Sequence, residues 1–437
     1  MYNQSNETDC ISNEKGGSDN MTTAAFQKTD KRVPSYNRWV ILVMGFLAMC
    51  LVSPYEYVWS SVSPFFTQRF GWPLDKIGLI FSFFVMFSAG AALPTGVLRD
   101  KYGPRFLTML AGVVAAVGLY SLSTSSYNIV LILFGVLGSF ASGVVYSNTV
   151  SISNKWFPDK RGLTAGLITA AFAWGSIPFI LWIRGSATAT TYTQIVREMA
   201  LIAGVVIVVC GYFLQDPPKG WSLPGLTTVE KVKKSIRRPS ERQFALVETV
   251  RTWQFWVLFL SFLLMAAVGL MTVSNIVRYA TEFGFTPAVA TFVAGGLALM
   301  SGLGRPIIGA ISDTLRRRED AIILSSVVVG LLTFGIYVFG VIHSPIGFVI
   351  CALGSIFVWG SSYAVLPAIC GDYYGEVHAA SNYGLLYLAK LGGGLYGGYL
   401  SALIIMRYGF KASFIIGGIM AIAAGLIIIL PRHKPPV

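Results

Sequence analysis

Apolar runs of about twenty residues recur along this 437-residue chain. A run of that length lets an α-helix cross the ~30 Å hydrocarbon core of a bilayer. The alternation typical of membrane β-strands is absent, so we interpret the runs as helices. Charged residues make up 12% of the chain, where a soluble domain has roughly a quarter, and this leaves too little polar surface to coat a globule. The sequence predicts an all-α polytopic membrane protein with twelve transmembrane helices, at 39–61, 76–98, 105–124, 128–153, 162–183, 200–214, 253–276, 287–309, 321–342, 346–368, 383–405 and 412–430.

The basic charge of the chain follows its predicted orientation. The formal net charge is +13, which by itself would suggest a nucleic-acid partner. With the N-terminus in the cytoplasm, 24 of the 33 Lys and Arg residues lie on the cytoplasmic side and 7 on the other side. This asymmetry is the positive-inside rule. We therefore expect no nucleic-acid partner, an integral protein of the plasma (inner) membrane, and both termini in the cytoplasm.

A long polar stretch divides the predicted spans into six and six. It runs over 217–251 and carries a cluster of Lys and Arg. We predict a disordered cytoplasmic tail at 1–38, an N-terminal six-helix bundle at 39–216, a cytoplasmic linker at 217–251, a C-terminal six-helix bundle at 252–430, and a cytoplasmic tail at 431–437.

The two halves carry matching loops. Gly96 and Asp100 lie at the end of the second span, with Arg105 behind them; Gly309 and Asp313 lie at the end of the eighth span, with three arginines behind them. The offset is a little over 210 residues, which indicates duplication of a six-helix unit. An aspartate in such a loop can sit at a helix N-terminus or pair with arginines of a neighbouring helix. We predict that Asp100, Arg105 and Asp313 are conformational gating residues; a purely structural role stays open.

The loops and several other runs resemble known families. The Gly-x-x-x-Asp-Lys-x-Gly-x-Arg loop is similar to the signature of the major facilitator superfamily, which implies two pseudo-symmetric six-helix bundles. A narrower resemblance, to the oxalate:formate antiporter family and its monocarboxylate transporter relatives, covers most of the chain. It is carried by NKWFPDKRGLTAG at 154–166, RTWQFW at 251–256, GRP at 304–306, WGSSY at 359–363, and NYG at 382–384 followed by Lys390.

Two cations lie inside predicted spans, Arg305 in the eighth and Lys390 in the eleventh. A cation at mid-helix costs about 2.5–3.5 kcal/mol on insertion scales, so it normally faces a cavity or a partner. Two cations that share a cavity would attract a carboxylate, for which arginine offers a bidentate fork and lysine a point charge. The resemblance implies that these two residues hold both carboxylates of a dianion. The alternative is that a fixed internal acid neutralises each cation.

Aromatic residues at similar depth complete the predicted site. Tyr57, Tyr146, Trp359 and Tyr363 match binding-cavity positions of the oxalate:formate antiporter family. An aromatic cage of this kind excludes water and offers hydroxyl donors. Because aromatic residues form 14% of the chain, each of the four could equally serve in packing.

Glu56 departs from the family pattern, which suggests a neutral polar residue in this part of the first span. It could pair with Arg305, pair with Arg278 at the outer end of the seventh span, or carry a proton. Arg305 and Lys390 alone would give a cavity of charge +2, matched to a dianion. An ionised Glu56 would lower this to +1, matched to a monoanion such as formate, lactate or pyruvate. We therefore expect a monocarboxylate preference, with pairing of Glu56 to Arg278 as the alternative.

These features together predict a secondary active transporter of small organic carboxylates, oxalate included, that works by alternating access as an antiporter or a proton-coupled symporter. The expected partners are the organic anion, a proton and membrane lipid, and we expect a monomer without metal or cofactor. A transport-inactive sensor or scaffold with the carrier fold is the alternative. An enzyme would need clustered His, Asp or Cys, and the five cysteines are scattered.

Overall fold

A computed structural model describes residues 37–157, 161–218, 242–375 and 379–431; the side chains at 93, 96, 97, 100, 161–163, 165, 379 and 380 are not described. The predicted tails and most of the predicted linker lie outside these residues. The described helices all belong to one compact unit, which begins at Arg38. No β-strand occurs in the described parts of the chain. The division into two bundles at 216 and 252 stays a prediction.

The described part of the first half forms eleven α-helices and one π-helical segment, Leu131–Gly138. Prolines and glycines separate several of them. Pro104 begins one helix, where its missing N–H has no partner to lose, and Gly103 before it adopts φ 76°. The helices are α1 (Arg38–Val52), α2 (Pro54–Tyr57), α3 (Trp59–Phe70), α4 (Leu74–Gly90), α5 (Ala92–Tyr102), α6 (Pro104–Ser121), α7 (Tyr127–Val130), α8 (Ser139–Trp156), α9 (Arg161–Trp174), α10 (Ile177–Ser186) and α11 (Tyr192–Phe213).

The described part of the second half forms nine α-helices. Hydroxyl side chains cap the N-termini of three of the longer ones, where Thr252, Thr286 and Ser344 accept from backbone N–H groups of the first turn. The helices are α12 (Leu246–Arg251), α13 (Trp253–Glu282), α14 (Pro287–Thr314), α15 (Arg318–Val341), α16 (Pro345–Trp359), α17 (Ser362–Tyr374), α18 (Ala379–Tyr387), α19 (Ala389–Leu395) and α20 (Ser401–Ile428).

Ten helical segments of the described chain are long and apolar enough to cross a membrane. One of them, Ser381–Ile428, has 48 residues and would be about 72 Å long if straight, more than twice the bilayer core. Gly409 breaks it with φ 77°, so it makes two crossings. The helices α4 and α5, which meet at Ala91, form a further crossing. With these two additions the count agrees with the twelve spans predicted from the sequence.

The first crossing differs from its prediction over 39–61. Its helix is interrupted at Ser53 and Val58 and then continues to Phe70. The cause is Pro54, which has no N–H to donate to the preceding turn. The short helix α2 that results is fully buried and carries Glu56 and Tyr57 toward the second half of the chain.

The eleventh crossing contains a π-helical segment, Tyr396–Leu400, between α19 and α20. Here Ser82 of α4 donates from its hydroxyl to the Gly394 carbonyl at 2.9 Å and accepts from the Tyr399 N–H at 2.8 Å. Gly78 and Gly398 let the two backbones meet, because a Cβ on Gly78 would lie 2.5 Å from the Gly398 carbonyl oxygen. The close packing of α4 on the eleventh crossing therefore joins the two halves.

The chain turns define two sides of the molecule. The linker side holds Gly103, the described linker ends at 217–218 and 242–251, and residue 375. The far side holds the turns at Gly71, Gly284 and Gly409. Toward the far side, hydrogen bonds connect the halves. The Arg184 Nε donates to the Thr291 hydroxyl at 3.2 Å, and nearer the middle of the crossings the Trp174 indole donates to the Leu299 carbonyl at 3.3 Å. The helix α3 also packs against α13. The molecule is thus closed on the far side.

Candidate functional site

Glu56 and Lys390 form a buried salt bridge between the two halves of the chain. The Lys390 Nζ lies 2.8 Å from the Glu56 carboxylate, and the two residues are 6% and 1% exposed. The broken first crossing turns the α2 carboxylate inward, and α19 supplies the ammonium group. An internal acid therefore neutralises Lys390, as in the alternative considered from the sequence. The partner of Glu56 is not Arg305 or Arg278, the two that the sequence suggested.

Arg305 has a different environment from Lys390. It lies in α14 and is 5% exposed, and its Nη1 donates to the main-chain carbonyl of Thr169 in α9 at 2.8 Å. Among the described residues no carboxylate lies within 4.0 Å of its guanidinium. Its Nε is buried and has no hydrogen-bond partner in that part of the chain. Arg305 is thus a buried cation with spare donor capacity.

Tyr363 of α17 lies next to both cations. Its ring centroid is 5.1 Å from the Arg305 Cζ and 5.6 Å from the Lys390 Nζ, within the range of cation–π attraction. Its hydroxyl is buried, and no described residue hydrogen-bonds to it. The Tyr363 hydroxyl and the Arg305 Nε are therefore two unused donors in one buried region.

Tyr57 and Trp359 use their polar atoms inside the protein. The Tyr57 hydroxyl is 2.8 Å from the Ser301 hydroxyl of α14. The Trp359 indole donates to the Met265 carbonyl of α13 at 2.9 Å, and its ring fills the space that the missing Cβ of Gly269 leaves. Both side chains therefore form walls of the site, and Tyr57 also connects the halves.

Tyr146 of α8 faces the second half of the chain. Its ring is 6.5 Å from that of Tyr387 in α18 and 5.4 Å from that of Phe172 in α9. Tyr146 and Tyr387 are partly exposed, whereas Trp359 is completely buried. These partly exposed rings lie on the linker side of the site.

The predicted gating residues contact their own halves. Arg105 donates to the Gln215 side chain at 2.8 Å, and Asp313 pairs with Arg318 at 2.9 Å. The side chain of Asp100 is not described, although its backbone lies in α5. Arg318 also reaches Asp372 at 3.3 Å. These contacts tie helix ends together within each half, and the gating role stays a prediction.

Sequence reasoning missed several contacts at the same ends. Asp216, directly after the sixth crossing, pairs with the buried Arg99 and with Lys155 at 2.8 Å. A lone acid between an apolar run and two prolines was the available signal. Thr169 and Ser301 gave no signal, because one contributes a main-chain carbonyl and the other is one of many small residues.

Comparison with known proteins places this architecture in a family. The model of the Major Facilitator Superfamily matches residues 40–390 and 258–437. The chain is 29% identical to the oxalate:formate antiporter of Oxalobacter formigenes over 92% of its length and 93% of that protein. It is 22% identical to monocarboxylate transporter 13 of Bos taurus over 90% and 89% of the two chains.

A solved structure shares the fold. It is that of a bacterial homologue of the human lysosomal transporter Spinster, with a TM-score of 0.66 and 14% identity over 91% of this chain and 95% of that one. The relatives named here are membrane transporters, not enzymes. With the family model matching most of its length, the chain is an integral membrane protein that belongs to the Major Facilitator Superfamily.

Proposed function

We propose that this protein transports small monocarboxylates, such as formate, lactate or pyruvate, by alternating access, with Arg305 as the carboxylate ligand. One observation carries the proposal: the Glu56 carboxylate is paired with Lys390, which leaves Arg305 as the cation of the central site with no carboxylate nearby among the described residues. The buried site then has a net charge of +1. A monoanion neutralises this charge, whereas a dianion would leave an excess negative charge in a region of low dielectric.

The unused donors support the same substrate class. A carboxylate against Arg305 can accept from the guanidinium fork, and the Tyr363 hydroxyl offers a further donor to the substrate. Tyr57, Tyr146 and Trp359 surround this region with aromatic rings and help to exclude water. The printed names of the relatives, an oxalate:formate antiporter and a monocarboxylate transporter, agree with a small carboxylate.

The contacts between the halves support a cycle of alternating access. In this conformation hydrogen bonds connect the halves toward the far side, and the partly exposed rings lie on the linker side. The other state would break those contacts and open the far side around the same central site. We place the linker in the cytoplasm on the charge asymmetry, and keep Asp100, Arg105 and Asp313 as gating residues on the linker side.

The test is transport by purified protein in liposomes that are loaded with formate, lactate, pyruvate or oxalate. We expect wild-type protein to exchange the monoanions faster than oxalate.

Replacement of Glu56 by Gln removes one negative charge, so we expect the preference for oxalate over formate to rise about tenfold, equivalent to ~1.4 kcal/mol. Arg305→Gln should abolish exchange, and Arg305→Lys should retain part of it. Unchanged selectivity in Glu56→Gln would contradict the charge argument.

The same measurement decides two further points. Uptake driven by a pH gradient without internal substrate would show proton-coupled symport, for which Glu56 is the candidate carrier, whereas dependence on internal substrate would show antiport. A folded wild-type protein that binds these anions and moves none of them would favour the sensor or scaffold. Full exchange by Arg305→Gln would contradict the assignment of Arg305 as the carboxylate ligand.

A further inference from the structure

A third buried cation lies away from the central site. Arg278 is near the far end of α13, is mostly buried, and its Nη2 has no hydrogen-bond partner among the described residues. No carboxylate in that part of the chain lies within 4.0 Å of it, and Glu282, one turn further along the helix, is exposed. A cation held in this way normally has a partner or faces a pathway. Within the described ranges, Arg278 therefore has no carboxylate partner in this conformation.

The cavity around Arg278 is built by both halves of the chain. Trp59 and Ser63 of the first crossing and Gly78 of α4 line one wall, and Asn275 of α13 and Gly398 of the eleventh crossing line the other. The space that is left has about the size of one water molecule. Since its walls belong to opposite halves, this cavity must widen when the halves separate on the far side.

The cavity lies between the central site and the far side, on the route that the substrate would take. Gly398 follows Lys390 by eight residues in the eleventh crossing, a rise of about 12 Å toward the far side. An anion that comes from the far side would therefore meet Arg278 before it reaches Arg305. A cation in a narrow, low-dielectric passage raises the local concentration of anions.

We propose that Arg278 anchors a second site for a small carboxylate, in the far-side gate, which the substrate occupies on its way to the central site when that gate is open. Ser63 and Asn275 supply polar groups beside it. In the closed conformation the walls come together and expel the anion, which leaves Arg278 without a counterion. The identity of the ligand rests on the proposed function, but the side of the membrane on which the site acts does not.

The experiment measures the KM for labelled formate separately from each side, in liposomes where the orientation of the protein is known. We expect Arg278→Gln to raise the far-side KM about tenfold and to leave the linker-side KM unchanged. Asn275→Asp places a carboxylate one turn from Arg278, and we expect the same one-sided rise without loss of the arginine. This second variant keeps the test valid if Arg278→Gln does not fold.

The matched control is Arg69→Gln, which removes a charge on the same side. Arg69 is exposed, bonds to the carbonyls of Ala189 and Thr190, and does not line the cavity. Equal effects of the two Gln variants, no effect of Arg278→Gln, or an equal rise on both sides would overturn the proposal. An identical phenotype of Asp75→Asn would also overturn it. Asp75 on α4 has a buried oxygen with no hydrogen-bond partner among the described residues, and it would then be the partner of Arg278. Failure of the central site would instead show in Arg305→Gln.

Discussion

The ion pair of Glu56 and Lys390 determines the charge of the central site. Both groups are almost fully buried, so each is stabilised mainly by the other. Removing one partner of such a pair typically costs 3–5 kcal/mol, because the other charge is left buried without compensation, whereas removing both is often close to neutral. The charge that the substrate must carry therefore depends on two residues, one in each half of the chain.

A charge-rescue experiment follows from this. We expect Lys390→Gln to lose monoanion exchange, because the unpaired Glu56 would then neutralise Arg305 and repel a carboxylate. In the double variant Glu56→Gln with Lys390→Gln, the net charge returns to +1, and we expect exchange at least tenfold above that of Lys390→Gln, as a penalty of this size allows. The measurement is labelled formate exchange at equal protein density in the membrane.

The outcome separates two uses of Lys390. If it were a direct ligand of the substrate, the double variant would stay as inactive as the single one. A rescued double variant would instead show that Lys390 acts through Glu56. Thermal unfolding of both variants serves as the control, since exchange is interpreted only for protein that remains folded.

Among the elements, α4 and the eleventh crossing form a close junction between the halves. Gly78 meets the backbone at Gly398, and Ser82 bonds to the π-helical segment beside it. A π-helical segment is frequent at functional sites in helices. The junction stabilises the conformation that is closed on the far side, and a side chain at Gly78 would push it apart.

We expect Gly78→Ala to shift the protein toward the conformation that is open on the far side. Its Cβ would lie 2.5 Å from the Gly398 carbonyl, an overpacking that costs about 1–3 kcal/mol. The readout is labelling of Ser63→Cys by an impermeant thiol reagent, in a functional variant without the native cysteines. Ser63 is buried in the closed gate, so its labelling should rise about tenfold.

The control is Gly295→Ala in α14, a helical glycine with no neighbour within 4 Å of an added Cβ. It makes the same change of residue without contact between the halves, and labelling should stay at the wild-type rate. An equal rise in both variants would mean that helix stability, not the junction, sets the opening of the gate.

The sequence predicted the crossings well because each crossing has to bury or expose a long apolar surface. About twenty consecutive residues of the sequence determine that surface. The number of crossings and the positions of Arg305 and Lys390 follow from that property. The break before Glu56 was not predicted, although Pro54 is its cause. The partner of Glu56 was missed because a contact between residues 334 positions apart depends on helix rotation, which hydropathy does not contain.

At the scale of the whole molecule, the central site couples the substrate to the movement of the halves. Arg305 on α14 binds the Thr169 carbonyl on α9, and Tyr57 on α2 binds Ser301 on α14. The residue proposed to bind substrate therefore also bridges the halves. A substrate carboxylate that accepts hydrogen bonds from Arg305 neutralises the positive charge of the site. It does so at the step when the halves must move past each other.

This coupling gives an expected difference between exchange and net flux. When the site is empty, the halves must close around a buried, uncompensated cation at the low-dielectric centre. This costs about 2.5–3.5 kcal/mol, which corresponds to a rate about a hundredfold lower. We expect wild-type protein in formate-loaded liposomes to exchange labelled formate about a hundred times faster than it releases formate into buffer without substrate. In the double variant Glu56→Gln with Lys390→Gln the ratio should persist, because Arg305 is unchanged. Arg305→Gln provides the comparison for background leak. Equal rates of exchange and release in the wild type would show that the empty site reorients freely, so that its charge does not limit the cycle.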